Sequence, residues 1–490
     1  MYFPLAVFPL DSDGVLAGLC AFRIDQGHYS AFFPGGTRLS AASCYVASAF
    51  FHTVGAGRLG LALTGLTWGV LYLLFTLLLL NALFERRTAF LASLFAIVPS
   101  EQFMTITYIP WGYGEIISSC AATLWLSALW RSDGSLWRRF WFGVSLGFGI
   151  WISLQTLMIA LPAAAWIVLK RRSRTVREAP VAALGAIVGA MPFLVANAVS
   201  GFPSLTQNWA SRPASSLPHV WENLTWLITY PLPGLLFHGF SGWWSVSTLF
   251  VTALGLAAVG FAFELSRPNE GNDRVSVRDL CVLLALVAAS CIALFIFSQA
   301  GSLRGWTVRY ILPIYVIVPV FLGIGVRGLW RWNGLLAAGV AAALLVPNLM
   351  LYSLPGTQAR AYYSAWLQTD ARLTQLFLRR GVRMVYGDYF SVYHLNFDTD
   401  ERIAAIPAYA PADYMGYGTT LGVSSIRWAM VGNLSDLHQW ARAVGARGTI
   451  VPEGDAWVFL ADLPAENAAA LLARLQAQCR IGSCAMPFPK

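Results

Sequence analysis

The chain has 490 residues, of which 57% are hydrophobic and 12% charged, with a formal net charge of +9 and a mean hydropathy of +0.59. Soluble domains carry about 25% charged residues, so this composition excludes a soluble enzyme, a disordered chain and a disulfide-dense small domain. It predicts a polytopic α-helical membrane protein. A net positive charge alone does not indicate a nucleic-acid partner, and none is predicted.

Hydrophobic segments follow one another along the chain as far as Ser353. A helix needs about 20 apolar residues to cross a bilayer, and the pattern predicts about 10 to 11 transmembrane helices on that basis. Ten windows carry this prediction: Leu59–Phe84, Thr88–Ile109, Gly114–Trp130, Phe140–Leu154, Thr156–Leu169, Pro180–Val199, Ser245–Phe263, Leu280–Phe297, Tyr310–Val326 and Gly334–Tyr352. Two short windows flank Gln155 and are expected to meet at a brief external turn. A span should also precede Asp11, and a truncated or missing first helix is expected there.

The loops between these windows alternate in charge. Up to Ser353, fifteen Lys and Arg residues fall in one set of loops and six in the other. Positively charged loops remain in the cytoplasm. The uneven split therefore predicts that residues 11–58, 99–114, 200–244, 298–309 and everything after Tyr352 lie outside the cytoplasm.

Charged residues return after Ser353, which predicts a domain boundary there. Residues 1–353 are expected to form the transmembrane domain, with a first outer loop over 11–58, and residues 354–490 a small extracytoplasmic α/β domain. Its strand-like segments are Arg383–Tyr386, Arg427–Val431, Thr449–Val451 and Ala456–Leu460. Its helix-like segments are Arg360–Arg380, Asp436–Val444 and Ala465–Gln476.

Four of the seven cysteines lie in the predicted outer regions. An oxidising compartment would permit a small disulfide loop between Cys479 and Cys484. Cys20 and Cys44 share the first outer loop, but sequence alone cannot place them together, and a bridge there is less favoured. The remaining cysteines fall inside predicted spans, where packing is their expected role.

The first candidate for chemistry is the acidic segment Asp11-Ser12-Asp13 at the membrane edge. An unpaired carboxylate so close to hydrocarbon is costly, and mutual repulsion can make one of two carboxylates a better base. Asp13, with Asp11 and Glu115, is a candidate catalytic residue. The alternative is that Asp11 or Asp13 only caps the helix that begins near Gly14.

The second candidate is the segment WGYGE, Trp111–Glu115, at the outer start of a span. Its two glycines permit a tight turn, and Glu115 then falls in the first helical turn. Glu115 could take part in catalysis, or it could only interact favourably with the helix dipole. The carboxylates of Asp11, Asp13 and Glu115 could together hold a divalent metal, but no metal or other cofactor is predicted.

The third candidate is RYILP, which begins at Arg309 at the outer end of a span. Arginine suits bidentate phosphate binding, so Arg309, Tyr310 and Arg304 are candidate donor-phosphate residues. Arg309 could instead snorkel to the interface, and Arg304 is better explained as a solvated loop charge. The outer loop from Gly201 to Trp244 is rich in aromatic residues, which suit either an interfacial belt or a surface for sugar rings.

These motifs carry a resemblance to a known family. The acidic segment, then Phe32–Gly35 (FFPG) and Tyr45–Phe51 (YVASAFF), resembles the first outer loop of GT-C membrane glycosyltransferases, and more narrowly the bacterial protein-mannosyltransferase and aminoarabinose-transferase clan. Trp111–Glu115 resembles the clan's second outer loop, the Gly143–Pro162 stretch its glycine-spaced helix pair, and Arg309–Pro313 a late RYxLP-like motif. Residues 381–407 look like the small outer domain of some bacterial members. The chain departs from the family pattern at Gly14 and Ser43, where acidic residues are usual.

The resemblance implies a glycosyltransferase that moves a hexose or pentose from a polyprenyl-phosphate donor to a glycan, lipid or protein acceptor at the outer face of the bilayer. An outer-loop aspartate would take the proton of the acceptor hydroxyl, and basic groups would hold the departing lipid phosphate. Two other classes stay open. One is a non-catalytic protein of the same fold in envelope polysaccharide assembly or export, and the other is a transporter, although no mid-membrane charge or internal repeat supports the latter.

Overall fold

The computed structural model describes residues 12–34, 39–132, 135–171, 173–206, 216–237, 244–267, 275–298, 308–353, 371–387, 389–407, 425–432, 437, 448–453 and 456–464. Most of these residues are helical, and the strands all lie after residue 383. A helical protein with a small mixed α/β portion is therefore confirmed as the fold class.

The described helices are numbered here in chain order. They are α1 (Ser12–Asp25), α2 (Ala42–Val54), α3 (Arg58–Leu83), α4 (Arg86–Ile97), α5 (Glu101–Tyr108), α6 (Tyr113–Ser132), α7 (Leu136–Ile152), α8 (Leu157–Arg171), α9 (Ser173–Gly189), α10 (Met191–Ser200), α11 (Pro203–Thr206), α12 (Leu217–Thr229), α13 (Pro231–Phe237), α14 (Trp244–Ser266), α15 (Val277–Ile296), α16 (Val308–Ile311), α17 (Val318–Trp332), α18 (Gly334–Ser353), α19 (371–379) and α20 (Tyr389–Asp398). Short 3-10 helices cover Leu154–Thr156 and Leu312–Ile317.

The chain folds into two compact units. The first comprises Met1–Gly36, Ser43–Thr64 and Pro355–Lys490, and the second comprises Thr37–Ala42 and Gly65–Leu354. The first unit thus groups α1 and α2 with the C-terminal sheet. The domain limits 1–353 and 354–490 derived from composition stay a prediction.

The first unit contains a five-stranded sheet in the order β2-β1-β3-β5-β4. Its strands are β1 (Met384–Gly387), β2 (Ala404–Pro407), β3 (Ser425–Gly432), β4 (Gly448–Glu453) and β5 (Ala456–Pro464). Strand β1 pairs in parallel with β2 and β3, whereas β5 is antiparallel to β3 and β4. The four strand-like segments of the sequence coincide with β1, β3, β4 and β5, and β2 is an addition. The predicted helices at 436–444 and 465–476 lie outside the described residues, apart from residue 437.

Helices α1, α2 and α20 pack together within the first unit. Phe22 stacks on Phe397 with ring centroids 5.5 Å apart. The Arg58 guanidinium forms a two-pronged ion pair with the Asp398 carboxylate, with the Nε nitrogen 3.1 Å from Oδ1. Aromatic stacking and a forked arginine–carboxylate pair both fix orientation, so this cluster sets the register of the N-terminal helices against α20.

A disulfide joins Cys20 of α1 to Cys44 of α2, with the two Cα atoms 5.4 Å apart. The bridge that the sequence favoured less is therefore present. The helix packing brings together two cysteines that are 24 residues apart. Cys479 and Cys484 lie outside the described residues.

Helices α7 and α9 of the second unit approach each other at backbone distance. Gly143 and Gly147 of α7 face the carbonyl oxygens of Ala182 and Ala186 so closely that a Cβ would overlap them, and Gly185 of α9 faces the chain of α7 in the same way. The four-residue spacing of small residues is typical of helix pairs in membranes, where close packing replaces the hydrophobic effect. The glycines Gly143 and Gly147 thus form a close contact with α9, whereas the predicted glycine-spaced pair was confined to the stretch Gly143–Pro162, which forms α7 and α8.

Gly147→Leu is expected to lower the melting temperature in detergent by about 5 °C or more, because an added side chain has no space between the two backbones. Gly255→Leu is the matched control, since that glycine lies on an exposed face of α14 with open space around its Cα. Thermal unfolding of both variants checks the prediction. Equal melting temperatures for the two would contradict the backbone contact.

Four helical segments of the described chain are long and apolar enough to cross a membrane, namely Arg58–Leu83, Thr248–Ser266, Val277–Ile296 and Val308–Trp332. Two bent pairs, Arg86–Ile97 with Gln102–Tyr108 and Arg177–Gly189 with Met191–Ser200, raise the number to six if each is one span. This count rests on the length and apolarity of the described helices alone, and the number of ten or eleven spans stays a prediction. Several apolar windows correspond to shorter helices such as α7 and α8, or to α6, whose buried face carries Glu115 and several hydroxyl groups.

Charged residues from several loops meet at one end of the second unit. The Asp279 carboxylate is 2.8 Å from the Arg131 guanidinium and 3.5 Å from the Lys170 ammonium. Glu178 pairs with Arg139 at 2.9 Å. These basic residues belong to the loop set with fifteen cations, so the structure brings three loops of that set to the same end of the unit.

A second ionic cluster lies between α14 and α17. Glu264 is 4% exposed, and its Oε2 oxygen accepts hydrogen bonds from Arg327 at 3.1 Å and from Arg331 at 3.3 Å. Glycines Gly260 and Gly328 bring the two helix backbones into contact beside it. Removing one partner from a buried ion pair is strongly destabilising, so this cluster fixes the relative position of α14 and α17.

Candidate functional site

The second unit carries two of the predicted motifs at the end of α6 opposite to Arg131. The 20 residues of α6 extend over roughly 30 Å of helix axis, so Tyr113 and Arg131 lie at opposite ends. The turn before α6 depends on its glycines. Gly112 has a φ of +92°, and a Cβ on Gly114 would overlap the Thr107 carbonyl and the Trp68 side chain. The tight turn expected from these glycines is therefore present.

Glu115 lies in the first turn of α6 and is fully buried in the second unit. A carboxylate in that position interacts favourably with the helix dipole. Tyr113, also buried, meets the ring of Trp111 edge to face, with centroids 5.9 Å apart. The WGYGE segment thus combines an aromatic pair with a carboxyl group that packing holds in place, and both interpretations of Glu115 stay open.

Arg309 sits in α16 with its guanidinium between two aromatic rings. The guanidinium carbon is 5.3 Å from the centroid of Trp111 and 5.1 Å from that of Tyr310, and the Nη2 nitrogen is 3.3 Å from the Tyr310 hydroxyl. A cation over the face of an aromatic ring is attracted by the ring quadrupole. The contact joins the WGYGE and RYILP motifs, which lie far apart in the sequence.

Gln155, for which the sequence predicted only a place in a turn, adds a third segment to this cluster. Its side-chain amide donates a 2.9 Å hydrogen bond to the backbone carbonyl of Arg309. Ser153 caps the short 3-10 helix that presents Gln155, accepting a hydrogen bond from the Gln155 backbone nitrogen. The sequence contains a signal that could have identified Gln155 as a site residue, because it is the one strongly polar residue in the apolar stretch from 148 to 169.

These contacts define a half-buried cationic group of fixed orientation, here called the arginine cluster (Trp111, Gln155, Arg309 and Tyr310). Arginine keeps its charge at any physiological pH and can donate two parallel hydrogen bonds to one phosphate. Stacking on the aromatic faces restricts the Arg309 side chain before a ligand binds. Binding therefore costs less side-chain entropy. The cluster is therefore chemically suited to an anionic group such as a phosphate.

Asp13 belongs to the first unit, where it is 7% exposed and lies in the first turn of α1. It is thus inside the helix rather than in the capping position before it, and a carboxylate there complements the helix dipole. Asp11 and Arg304 lie outside the described residues. The roles assigned to Asp13, Asp11, Glu115, Arg309, Tyr310 and Arg304 stay predictions.

Two further expectations concern a metal and the aromatic outer loop. Within the part of the chain that the structure describes, no group of three or more His, Cys, Asp or Glu residues is placed to hold a metal ion. In the aromatic loop, Trp226 stacks on Tyr230 at 4.7 Å between centroids, and Trp221 is largely exposed. An interfacial belt and a sugar-stacking surface are both compatible with these positions.

Helices long and apolar enough to cross a membrane, together with a small α/β portion, define a multi-pass membrane protein. Two solved structures have a similar fold across nearly the whole chain. ArnT from Cupriavidus metallidurans in the apo state is 13% identical with a TM-score of 0.61, and the match covers 96% of each chain. The same protein bound to undecaprenyl phosphate gives the same identity and TM-score, over 94% of this chain and 95% of that one.

The fold implied by the resemblance to the aminoarabinose-transferase clan is thereby confirmed. No protein-family model matches the sequence, and no curated protein matches it. At 13% identity the similarity establishes the fold alone. The chemistry therefore has to be argued from the residues of this chain.

Proposed function

We propose that the protein is an integral-membrane glycosyltransferase that moves a monosaccharide from a polyprenyl-phosphate donor to a lipid, glycan or protein acceptor. The single observation that carries the proposal is the end-to-end similarity to ArnT bound to undecaprenyl phosphate. The arginine cluster supports it, because a lipid phosphate requires a fixed cation at a membrane-facing position.

In the proposed reaction an oxygen of the acceptor attacks the anomeric carbon of the sugar. The bond between that carbon and the phosphate oxygen breaks, and the polyprenyl phosphate leaves with the bonding electron pair. We assign to Asp13 the removal of the acceptor hydroxyl proton, with Asp11 and Glu115 as further acidic residues of the machinery. We assign to Arg309, with Tyr310 and Arg304, the neutralisation of the charge that develops on the leaving phosphate. The mechanism needs no metal or other cofactor.

The experiment that tests this function is transfer of label. Membranes containing the protein are incubated with radiolabelled polyprenyl-phosphate sugars, and label is followed into lipid, glycan and protein fractions. Transfer that depends on the protein supports the proposal and identifies the acceptor class. Binding of the donor without transfer would instead indicate a non-catalytic protein of the same fold, and movement of intact donor across the bilayer would indicate a transporter.

The proposed location is the bacterial cytoplasmic membrane, with the first unit outside. The Cys20–Cys44 disulfide supports this orientation, because disulfides persist in oxidising compartments and are rare in the cytosol. The fifteen cations on the opposite set of loops support it independently, since positively charged loops remain in the cytoplasm.

Cysteine labelling in intact cells measures this orientation. An Ala371→Cys variant carries the new cysteine at an exposed position in α19. It is expected to be labelled by a membrane-impermeant thiol reagent to a greater extent than the parent chain. Arg86→Cys, exposed at the start of α4 in the opposite loop set, is expected to react only after permeabilisation. The reverse pattern would overturn the orientation and with it the outward-facing site.

A further inference from the structure

A cavity of about 690 Å³ opens on the second unit between α3, α6 and α7. Its walls are almost wholly apolar and include Trp68, Phe75, Trp125, Trp141 and Phe148. The volume lies in the usual range of small-ligand sites, about 300–1,000 Å³. Because α3 is one of the membrane-spanning candidates, this groove faces hydrocarbon rather than water.

The groove has the length of one leaflet. Its lining residues on α6 run from Ser118 to Leu129, a separation that corresponds to about 16 Å of helix. Half of a hydrocarbon core about 30 Å thick is about 15 Å. Two of the three serine hydroxyls that line the groove form hydrogen bonds within the protein, Ser118 to the Glu115 carbonyl and Ser145 with Thr123. The buried Ser119 hydroxyl forms no such bond with the described part of the chain. The groove therefore offers a mostly apolar channel about as long as one leaflet is deep.

Arg138 places a guanidinium group at one end of the groove. Arg138 lines it, in the first turn of α7, and its Nη1 nitrogen lies 3.5 Å from the Leu129 carbonyl. The first turn of α7 contains no acidic residue, so the helix dipole adds to the positive potential of Arg138. Trp137 beside it is 67% exposed, and tryptophan is enriched at the membrane–water interface. This end is near Arg131 and remote from the arginine cluster at the other end of α6.

We propose that the groove is a binding site for an anionic glycerophospholipid of the leaflet on the Arg138 side, with one acyl chain along α6 and α7 and the phosphate at Arg138. The length of the groove suits one acyl chain, and the arginine beside an exposed tryptophan at its end suits a negatively charged headgroup at the interface. The inference depends on membrane insertion and is independent of the transfer reaction.

The test is lipid titration of the delipidated full-length protein in detergent, followed by native mass spectrometry. Dioleoyl phosphatidylglycerol is expected to bind the parent chain about tenfold more tightly than dioleoyl phosphatidylcholine. Arg138→Gln is expected to remove that tenfold preference, the effect of one charge-assisted hydrogen bond, and to leave phosphatidylcholine binding unchanged. Arg86→Gln is the matched control, an exposed arginine at the start of another helix in the same loop set, and should retain the preference.

A second variant tests the apolar part of the site. Ala122→Trp fills the groove and is expected to abolish binding of both lipids, with correct folding checked by the melting temperature. If that variant does not fold, Arg138→Gln decides alone. An unchanged preference in Arg138→Gln, or unchanged binding in folded Ala122→Trp, would overturn the site. Displacement of phosphatidylglycerol by an equal concentration of undecaprenyl phosphate would also overturn it, because the groove would then hold an isoprenoid chain.

Discussion

Asp13→Asn is expected to insert and fold like the parent chain and to lose about 10²- to 10⁴-fold in turnover, the usual contribution of a general base. The substitution keeps the size and shape of a side chain that is almost fully buried in the first turn of α1. It removes the negative charge and the ability to accept a proton. Asp11→Asn is expected to reduce turnover less. Transfer of labelled sugar at saturating donor measures both.

Asp25→Asn is the control variant, and a purely structural role of Asp13 at the helix dipole is the competing explanation. Asp25→Asn changes a carboxylate at the other end of the same helix, one that accepts a hydrogen bond from Ser48, and should keep turnover near the parent value. If Asp13 serves only the helix dipole, Asp13→Asn will cost about 0.3–1 kcal/mol of stability with turnover intact. Full turnover in both Asp11→Asn and Asp13→Asn would show that the assignment of the base is wrong.

Arg309→Met is expected to weaken donor binding about 10- to 100-fold and to reduce turnover further. The variant keeps an unbranched apolar side chain beside Trp111 and loses the charge. Hydrogen bonds to charged groups contribute about 1.5–3 kcal/mol, which sets the expected loss of affinity. Turnover should fall beyond binding, because the leaving phosphate gains negative charge in the transition state. Donor titration of the transfer rate separates the two effects.

Arg309→Lys distinguishes phosphate binding from membrane anchoring. Lysine keeps the charge but loses the planar fork and the stacking on Trp111 and Tyr310, so donor affinity should fall modestly. An arginine that only snorkels to the interface would be replaced by lysine without effect. Arg86→Met, at an exposed arginine elsewhere in the protein, controls for the loss of a cation. Unchanged affinity and turnover in Arg309→Met would leave Arg309 as an anchor.

The sequence predicted those parts of the fold whose signals are local. Strands β1, β3, β4 and β5 are short apolar runs between polar segments. The glycines Gly143 and Gly147 indicated close helix packing, but the helix that they contact, α9, lies beyond the predicted pair. Strand β2 is only the four residues Ala404–Pro407, with little β-forming character, and becomes a strand through its parallel pairing with β1. That pairing depends on contacts that no local pattern contains.

The candidate site likewise has features that local sequence predicts and features that depend on contacts between distant segments. The motifs around Glu115 and Arg309 could be found because glycine, acidic and basic residues interrupt apolar sequence at span ends. The stacking of Arg309 on Trp111 and the hydrogen bond from Gln155 could not, because they join segments that lie far apart in the chain. The Cys20–Cys44 pair was favoured less for a similar reason, since only the packing of α1 on α2 brings the sulfurs together.

The buried cluster of Glu264, Arg327 and Arg331 has a consequence for biosynthesis. Glu264 leaves the ribosome 63 residues before its nearer cation, Arg327. At about 5–20 residues per second, several seconds pass between the synthesis of Glu264 and that of Arg327. During this time the Glu264 carboxyl group lies at the edge of its span without this cation. An isolated charged side chain in a transmembrane helix is costly, so α14 reaches its final depth only when α17 arrives. Assembly of the last helices is therefore a concerted event, in which the later helix completes the insertion of the earlier one.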